Sequence, residues 1–253
     1  MKDNAVILQS GQGGWLVFEN PVRVCCARRA EDVSGVLHEV QACCEAGLHA
    51  AGFMSYEAAS GLDAALQTHP PRGLPLVWFG LYKAPKRWRR LRGGNDLFEI
   101  GPWTPSVSRP RYQQALERIR DYIQAGDTYQ VNYTYRLRAA FQGSAWSFFH
   151  TLHRGQRARY SAFVRLPSFS ICSGSPELFF AMEGRQVMAR PMKGTAPRGL
   201  TVDDDRARAR ALRASEKDRA ENVMIADMIR NDLGRVAEAG SVVLTLLVVI
   251  LIR

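Results

Sequence analysis

The order of strand-like and helix-like segments is the feature of this sequence that most limits its possible folds. Residues 5 to 100 read as short strands separated by Gly and Pro, for example Gly14 to Phe18 and Leu76 to Tyr82, and one helical pattern from Glu31 to Ala46 interrupts them. Later segments again mix strands with helices. Because the two kinds of segment do not follow a regular βαβ order, the sequence predicts a layered α+β fold rather than a doubly wound parallel sheet.

Composition and charge restrict the partners of the chain only loosely. With 253 residues, 46% of them hydrophobic, the chain can build one large domain or two small ones. A net charge of +10 attracts nucleic acids, anionic membranes and acidic metabolites alike, and disfavours only a cationic substrate. The basic run from Lys86 to Arg92 is interpreted as a solvated hairpin or loop rather than a surface that stacks on bases. We therefore expect neither a nucleic-acid partner nor a membrane partner.

The five cysteines give no sign of a metal site. They form two vicinal pairs and one single residue, Cys172, and none has the C-x-x-C spacing of a zinc site. We interpret them as buried free thiols. The start of the chain lacks the charged and apolar regions of a secretory signal, so a cytoplasmic location is expected.

The last residues, from Val242 to Ile252, are almost continuously apolar. The run is too short to span a bilayer as a helix, which needs about 20 apolar residues. Its richness in Val and Ile predicts a buried strand, although an altered or out-of-frame end would read the same way.

A helix followed by alternating residues is predicted in the middle of the chain. Apolar residues recur at helical spacing from Pro110 until Gly126, which can end the helix. Apolar and polar residues then alternate from Tyr129 to Arg138, as in a half-buried strand, which places Gln130 and Asn132 on its polar face. From the alternation alone, this pair is a solvent-facing pair.

A hairpin is predicted next, with Glu177 to Met182 and Gln186 to Arg190 as its strands. Glu177 is close in sequence to Phe179 and Phe180. If these rings desolvated the carboxyl group, the protonated form would be favoured and Glu177 could act as a general acid. An ordinary residue at a strand edge is the competing interpretation.

The string RPMKGTAPRG places Lys193 just past a strand end, in a turn rich in Gly and Pro. Backbone amides at Gly194 and Thr195 could approach a carboxylate closely, since Gly lacks a Cβ. A lysine is a nucleophile only as the free amine, which burial or the neighbouring Arg190 and Arg198 would favour. Spacing alone does not separate this role from that of an exposed turn lysine.

A last helix is predicted from Ser215, a capping residue, to about Leu233. Asp218 and Glu221 are three residues apart and share one helical face, where two carboxylates can hold Mg²⁺. A first-turn acid that interacts with the helix dipole, beside a solvated glutamate, is the alternative.

Four strings considered together resemble the chorismate-binding enzymes, which include anthranilate, aminodeoxychorismate, isochorismate and salicylate synthases. They are GDTYQVN, SGSPELFF, RPMKGTAPRG and EKDRAENVMIADMIRNDLGRV, in the order and spacing of that family. The resemblance extends from about Gly52 to about Val242. It implies a layered α+β fold of two facing sheets with helices outside, of which the C-terminal half is expected to be missing. The implied domains are a β-rich N-terminal region at 1–100, the first part of the chorismate-binding domain at 101–242, and an aberrant apolar tail at 243–253.

The P-M-K-G-T string, with lysine at its third position, resembles the aminodeoxychorismate synthase component I branch of the family. The other branches usually have alanine at that position. The resemblance implies that Lys193 attacks C2 of chorismate while the C4 hydroxyl leaves, protonated by Glu177, and that ammonia then adds at C4 and expels the lysine. The product is 4-amino-4-deoxychorismate, the precursor of 4-aminobenzoate and folate. Gln130 stands where water-adding relatives have a lysine base, and Asn132 would help to position the amine.

The same resemblance implies the remaining groups. Glu221, with Asp218 nearby, would belong to a Mg²⁺ site, Gly194 and Thr195 would contact substrate, and a separate glutamine amidotransferase subunit would supply ammonia. Because the second half of the family's motifs is not found, the chain is expected to be inactive alone. Anthranilate synthase or another chorismate enzyme remains an alternative, as does a non-catalytic basic binding protein on the same scaffold.

Overall fold

The chain begins with three strands, after which helices and strands follow one another in an irregular order. The computed structural model describes residues 2–156, 158–243 and 251–252. The helices are α1 (Val33–Glu45), α2 (Arg109–Ala125), α3 (Ala145–Gln156), α4 (Val202–Ala214) and α5 (Glu216–Gly234), with 3-10 turns at Ala30–Asp32 and Tyr56–Gly61. The strands are β1 (Ala5–Gln9), β2 (Trp15–Phe18), β3 (Arg23–Ala27), β4 (His49–Met54), β5 (Val77–Tyr82), β6 (Lys86–Trp88), β7 (Phe98–Ile100), β8 (Thr104–Pro105), β9 (Leu137–Arg138), β10 (Phe141–Gly143), β11 (Tyr160–Arg165), β12 (Ser170–Ser175), β13 (Leu178–Glu183), β14 (Gln186–Arg190), β15 (Thr195–Ala196) and β16 (Leu251–Ile252).

The chain divides into two compact units. The first unit comprises the described residues of Met1–Arg92 and Phe149–Arg253, and the second comprises Gly93–Phe148. This division into compact units differs from the ranges 1–100, 101–242 and 243–253. It does not test those ranges as domains, so they remain predictions.

Two antiparallel sheets face each other in the first unit. One has the strand order β12-β11-β1-β2-β6 and the other the order β3-β5-β4. Val6, Phe18 and Val164 of the first sheet form one buried cluster with Trp78 and Tyr82 of the second. Since side chains on a strand alternate between its two faces, the apolar residues between these positions must be covered on the other side.

Helices cover the outer faces of both sheets. On the three-stranded sheet, Val33 of α1 is buried with Val77, and further along the helix Val40 is buried with Leu81. On the five-stranded sheet, the Phe149 ring of α3 lies 5.8 Å from that of Trp15 and 5.5 Å from that of Phe163. The α+β prediction with two facing sheets and helices outside is thereby confirmed within this unit.

The second unit contains α2 and two short strand pairs, β7 with β10 and β8 with β9. Helix α2 ends where the sequence predicted, because Gly126 adopts the left-handed conformation (φ 83°) that favours glycine after a helix. Tyr133 and Tyr135 each pack on Tyr112 of α2, with ring centroids 5.6 Å away.

One local prediction is wrong. Only Leu137–Arg138 of the predicted strand at 129–138 forms a strand, because Tyr133 and Tyr135 lie against a helix instead of pairing in a ladder. The basic run from Lys86 to Arg92, predicted to be a solvated hairpin or loop, begins with the short strand β6, which pairs with β2 at the edge of the five-stranded sheet. Cationic side chains on an edge strand oppose pairing with further strands.

The cysteines are thiols, as predicted, but not all are buried. Cys25 is buried and Cys172 half-buried, and burial raises the pKa of each thiol to about 11. Cys26 and Cys44 are exposed, which corrects the prediction for these two. Of the apolar strand predicted at 242–252, residues 244–250 lie outside the described residues, while Leu251–Ile252 form β16, which pairs in parallel with β15.

Candidate active site

The candidate nucleophile lies in a turn between β14 and β15. Lys193 is half-buried, and Gly194 after it has a φ of 79°, in the left-handed region that glycine adopts without strain. Thr195, the other residue expected to contact substrate, is exposed and begins β15. The turn therefore places the lysine and the two predicted substrate-binding residues next to one another.

The first turn of α5 supports this lysine turn. Ser215 Oγ accepts a hydrogen bond from the Asp218 backbone N–H (3.2 Å), so the predicted N-cap is confirmed. A Cβ built on Gly194 would lie 3.0 Å from Asp218 Oδ1 and 3.1 Å from its Cβ. The close approach of the turn to Asp218 and the positive φ of residue 194 together favour glycine at this position.

Asn222 connects the same turn to α5 and was missed by the sequence analysis. Its Nδ2 donates to the Lys193 carbonyl (2.9 Å) and to the Asp218 carbonyl (2.8 Å). The available signal was its position four residues after Asp218, which places both residues on one face of the helix. A partner 29 residues earlier in the chain could not be read from that spacing.

The two carboxylates proposed for Mg²⁺ are both on α5. Glu221 is partly buried, with 24% of its side chain exposed, and its Oε1 lies 4.0 Å from Lys217 Nζ. Among the described residues no group of three or more His, Cys, Asp or Glu side chains could hold a metal ion. Two carboxylates nevertheless fit Mg²⁺ chemically, since this ion takes oxygen ligands and keeps several waters.

Glu177 lies immediately before β13 and is exposed. Its backbone N–H donates to Ser175 Oγ (3.2 Å), and its carbonyl accepts from the same hydroxyl (3.1 Å). The side chain of Phe179 is itself 87% exposed. The expected desolvation of the Glu177 carboxyl group by the neighbouring rings is therefore not observed.

Gln130 and Asn132 belong to the second unit, whereas the other predicted site residues belong to the first. Gln130 is half-buried, and its carbonyl accepts a hydrogen bond from Thr128 Oγ1 (3.2 Å). Asn132 is exposed. The structure thus brings together Lys193, Gly194 and Asp218, and places the amide pair in a separate body.

An ion pair follows the lysine turn. Arg198 donates to both carboxylate oxygens of Asp205 (2.8 and 2.7 Å), and the Gly199 N–H donates to Asp205 Oδ1 (2.9 Å). Arg198, proposed above to favour the free amine of Lys193, therefore has its charge balanced by Asp205. The Arg198 guanidinium and the Gly199 N–H hold the pKa of Asp205 below its ordinary value of 3.8.

This pair predicts an acid-dependent loss of stability. Since the pKa of Asp205 is lowered by folding, its contribution is present above pH 3.8 and is lost as the pH falls further. We expect Asp205→Asn to lower the melting temperature at pH 7, as measured by circular dichroism. The difference in melting temperature between the variant and the unmodified chain should become smaller as the pH falls below 3.8. Asp203→Asn is the matched control on the same helical turn, since the Asp203 side chain is 95% exposed. Equal effects of the two variants at pH 7 would contradict the assignment.

Comparison with known proteins identifies the family. A family model described as chorismate binding enzyme matches residues 95–251, more than half of the chain. The chain belongs to this family. The match covers the lysine turn, the predicted general acid and α5, so the sequence strings that suggested the resemblance lie within the matched region.

Curated relatives from two branches of the family are similar to this chain. It is 44% identical over 140 residues to aminodeoxychorismate synthase component 1 of Klebsiella aerogenes, which covers 55% of the chain and 31% of that protein. It is 38% identical over 150 residues to anthranilate synthase component 1 of Thermus thermophilus, which covers 59% of the chain and 31% of that protein. The chain thus aligns with about a third of the length of these curated relatives.

A solved structure shares the fold. Anthranilate synthase component I from Streptococcus pneumoniae superposes with a TM-score of 0.70 at 19% identity, covering 93% of this chain and 62% of the other. At that identity the likeness concerns the fold of the chorismate-binding family alone.

Among the described helices, none is long and apolar enough to cross a membrane.

Proposed function

We propose that this chain carries the lysine side of an aminodeoxychorismate synthase component I active site, which converts chorismate and ammonia to 4-amino-4-deoxychorismate. The observation that carries the proposal is the half-buried Lys193 in a turn tied to α5 by Asn222 and packed against Asp218 through Gly194. The similarity to the Klebsiella aerogenes enzyme supports the same branch. A turn held at two points presents its side chain in one direction, which a covalent nucleophile requires.

The proposed chemistry is a double displacement. The neutral amine of Lys193 forms a bond to C2 of chorismate, the ring double bond shifts, and the C4–O bond breaks. Glu177 gives its proton to the departing hydroxyl, which leaves as water. Ammonia then bonds to C4, the double bond shifts back, and the C2–N bond breaks to release the lysine. The added nitrogen loses a proton, which returns to the Glu177 carboxylate.

The other predicted residues have supporting roles in this proposal. Gly194 and Thr195 bind the substrate through their backbone, and Asn132 positions the incoming amine. Gln130 has an amide that cannot act as a base at neutral pH, so it does not activate water in competition with ammonia. Glu177 is exposed, so its work as an acid requires a cover that excludes water.

Asp218 and Glu221 are the residues of this chain that would hold Mg²⁺. When bound, the ion would supply positive charge for a substrate carboxylate. The Lys217 ammonium near Glu221 would have to move aside or share that carboxylate. We further infer that a glutamine amidotransferase supplies the ammonia, that the chain works in the cytoplasm, and that its product leads to folate.

Two other functions have specific support. Similarity to the Thermus thermophilus protein favours anthranilate formation, which the lysine at position 193 opposes. The exposed Arg87, Arg89 and Arg90, with no ion pair among the described residues, favour a binding protein for a polyanion. A salt series of binding to single-stranded DNA tests the second function, because counterion release makes such binding strongly dependent on salt.

The proposal is tested by product analysis. We expect the 253-residue chain with chorismate, Mg²⁺ and ammonium to give no product. Glu177 is exposed to water in this chain, whereas its work as a general acid requires a site from which water is excluded. Residues 1–242 joined to the remaining C-terminal part of the Klebsiella aerogenes relative should give 4-amino-4-deoxychorismate, measured by chromatography. Anthranilate from the chimera, or steady turnover by the chain alone, would contradict this assignment.

A further inference from the structure

We propose that Asn222 is a positioning residue that aims the backbone N–H of Gly194 at a carboxylate of the substrate. This inference rests on the proposed function, since the carboxylate is that of chorismate. The side chain of Asn222 donates hydrogen bonds to backbone carbonyls only, so Asn222 is assigned no role as a catalytic residue or as a metal ligand.

The first step concerns the orientation of the Asn222 amide. Both partners of Nδ2 are carbonyl oxygens, that of Lys193 at 2.9 Å and that of Asp218 at 2.8 Å. Carbonyls only accept hydrogen bonds, so the NH₂ group and not the amide oxygen must face them. The bond to Asp218 spans four residues of α5 and fixes the side chain against its own helix. The second proton of the NH₂ group then holds Lys193.

The second step concerns the peptide bond between Lys193 and Gly194. The bond is trans, and a trans peptide is planar with its C=O and N–H pointing in opposite directions. Because the Lys193 carbonyl points at Asn222, the Gly194 N–H points away from it. In the part of the chain that the structure describes, no acceptor for this N–H is found. The amide is thus oriented and available for an anionic acceptor.

The third step concerns what maintains this orientation. At Gly194 the backbone could rotate freely, since glycine has few steric restrictions. Packing against Asp218 restricts the turn on one side, and the bond from Asn222 restricts the peptide plane. A carboxylate at position 222 would set an oxygen against two carbonyl oxygens and turn the plane away. The proposal therefore depends on the donor and not on the volume of the side chain.

The test uses the full chain labelled with ¹⁵N-glycine. The Gly194 amide signal is assigned as the one missing from Gly194→Ala. We expect this signal to shift in Asn222→Asp and Asn222→Ala, and to stay in place in Asn231→Ala, which removes an exposed Asn from the same helix. Circular dichroism shows whether each variant has folded. If Asn222→Asp does not fold, the signal of Asn222→Ala is the deciding measurement.

Titration with chorismate completes the test. In the unmodified chain the Gly194 signal should shift as a carboxylate binds, and Asn222→Asp should weaken this binding about tenfold, the value of a charge-assisted hydrogen bond. An unmoved Gly194 signal in both Asn222 variants would overturn the positioning role. A signal that depends on Asn222 but ignores chorismate would overturn the proposed function and its carboxylate, while the orientation of the turn by Asn222 would stand.

Discussion

Lys193→Ala should lower the formation of 4-amino-4-deoxychorismate by at least about a thousandfold, because a covalent nucleophile cannot be replaced by an apolar side chain. The measurement is the initial rate of product formation by the chimera described above, with Mg²⁺ and ammonium present. Lys193 is held in its turn through its backbone carbonyl, which the substitution leaves in place. The loss should therefore come from the amine itself and not from a displaced turn.

The matched control is Lys217→Ala. Lys217 lies on the neighbouring first turn of α5, its side chain is 83% exposed, and its nearest acidic partner is Glu221 at 4.0 Å. Its removal takes away a lysine side chain near the same site but not the proposed nucleophile, so a small effect is expected. Comparable losses in both variants would point to general electrostatics, and an unchanged rate in Lys193→Ala would remove this residue from the mechanism.

The chain alone should self-associate through the hairpin of β13 and β14, and polar residues there should weaken this association about a hundredfold. In this two-stranded sheet Met182 pairs with Val187 and Ala181 with Met188, so both faces carry apolar side chains. Phe180 is 52% exposed and Met182 is 68% exposed. When a second copy of the chain covers these side chains, the burial of each stabilises the association by about 1.5 to 3 kcal/mol.

Light scattering of the purified chain measures the effect. The variant combines Phe180→Lys with Met182→Lys, and the control combines Val22→Lys with Leu62→Lys. The control residues are 58% and 55% exposed and belong to the same unit, so exposure and added charge are matched. A monodisperse unmodified chain, or an equal improvement in the control, would show that the hairpin is not the surface that associates.

Short-range features of the structure could be predicted from the sequence. The end of α2 at Gly126 and the start of α5 at Ser215 were predicted, because capping depends on a few neighbouring residues. The hairpin of β13 and β14 followed from two short runs around one turn. The family also followed from the sequence, since its strings are continuous stretches that include Lys193.

Tertiary structure decided the rest. The alternation from Tyr129 to Arg138 predicted a strand, yet period-two alternation describes any extended segment, and a strand exists only where a partner completes its hydrogen bonds. Likewise the exposure of Glu177 depends on which segments cover it, and no property of the residues beside it determines that. The contact of Asn222 with Lys193 joins residues 29 positions apart. Such contacts arise only when α5 and the lysine turn are placed side by side, so the sequence alone determined which groups this chain offers and the fold determined which of them meet.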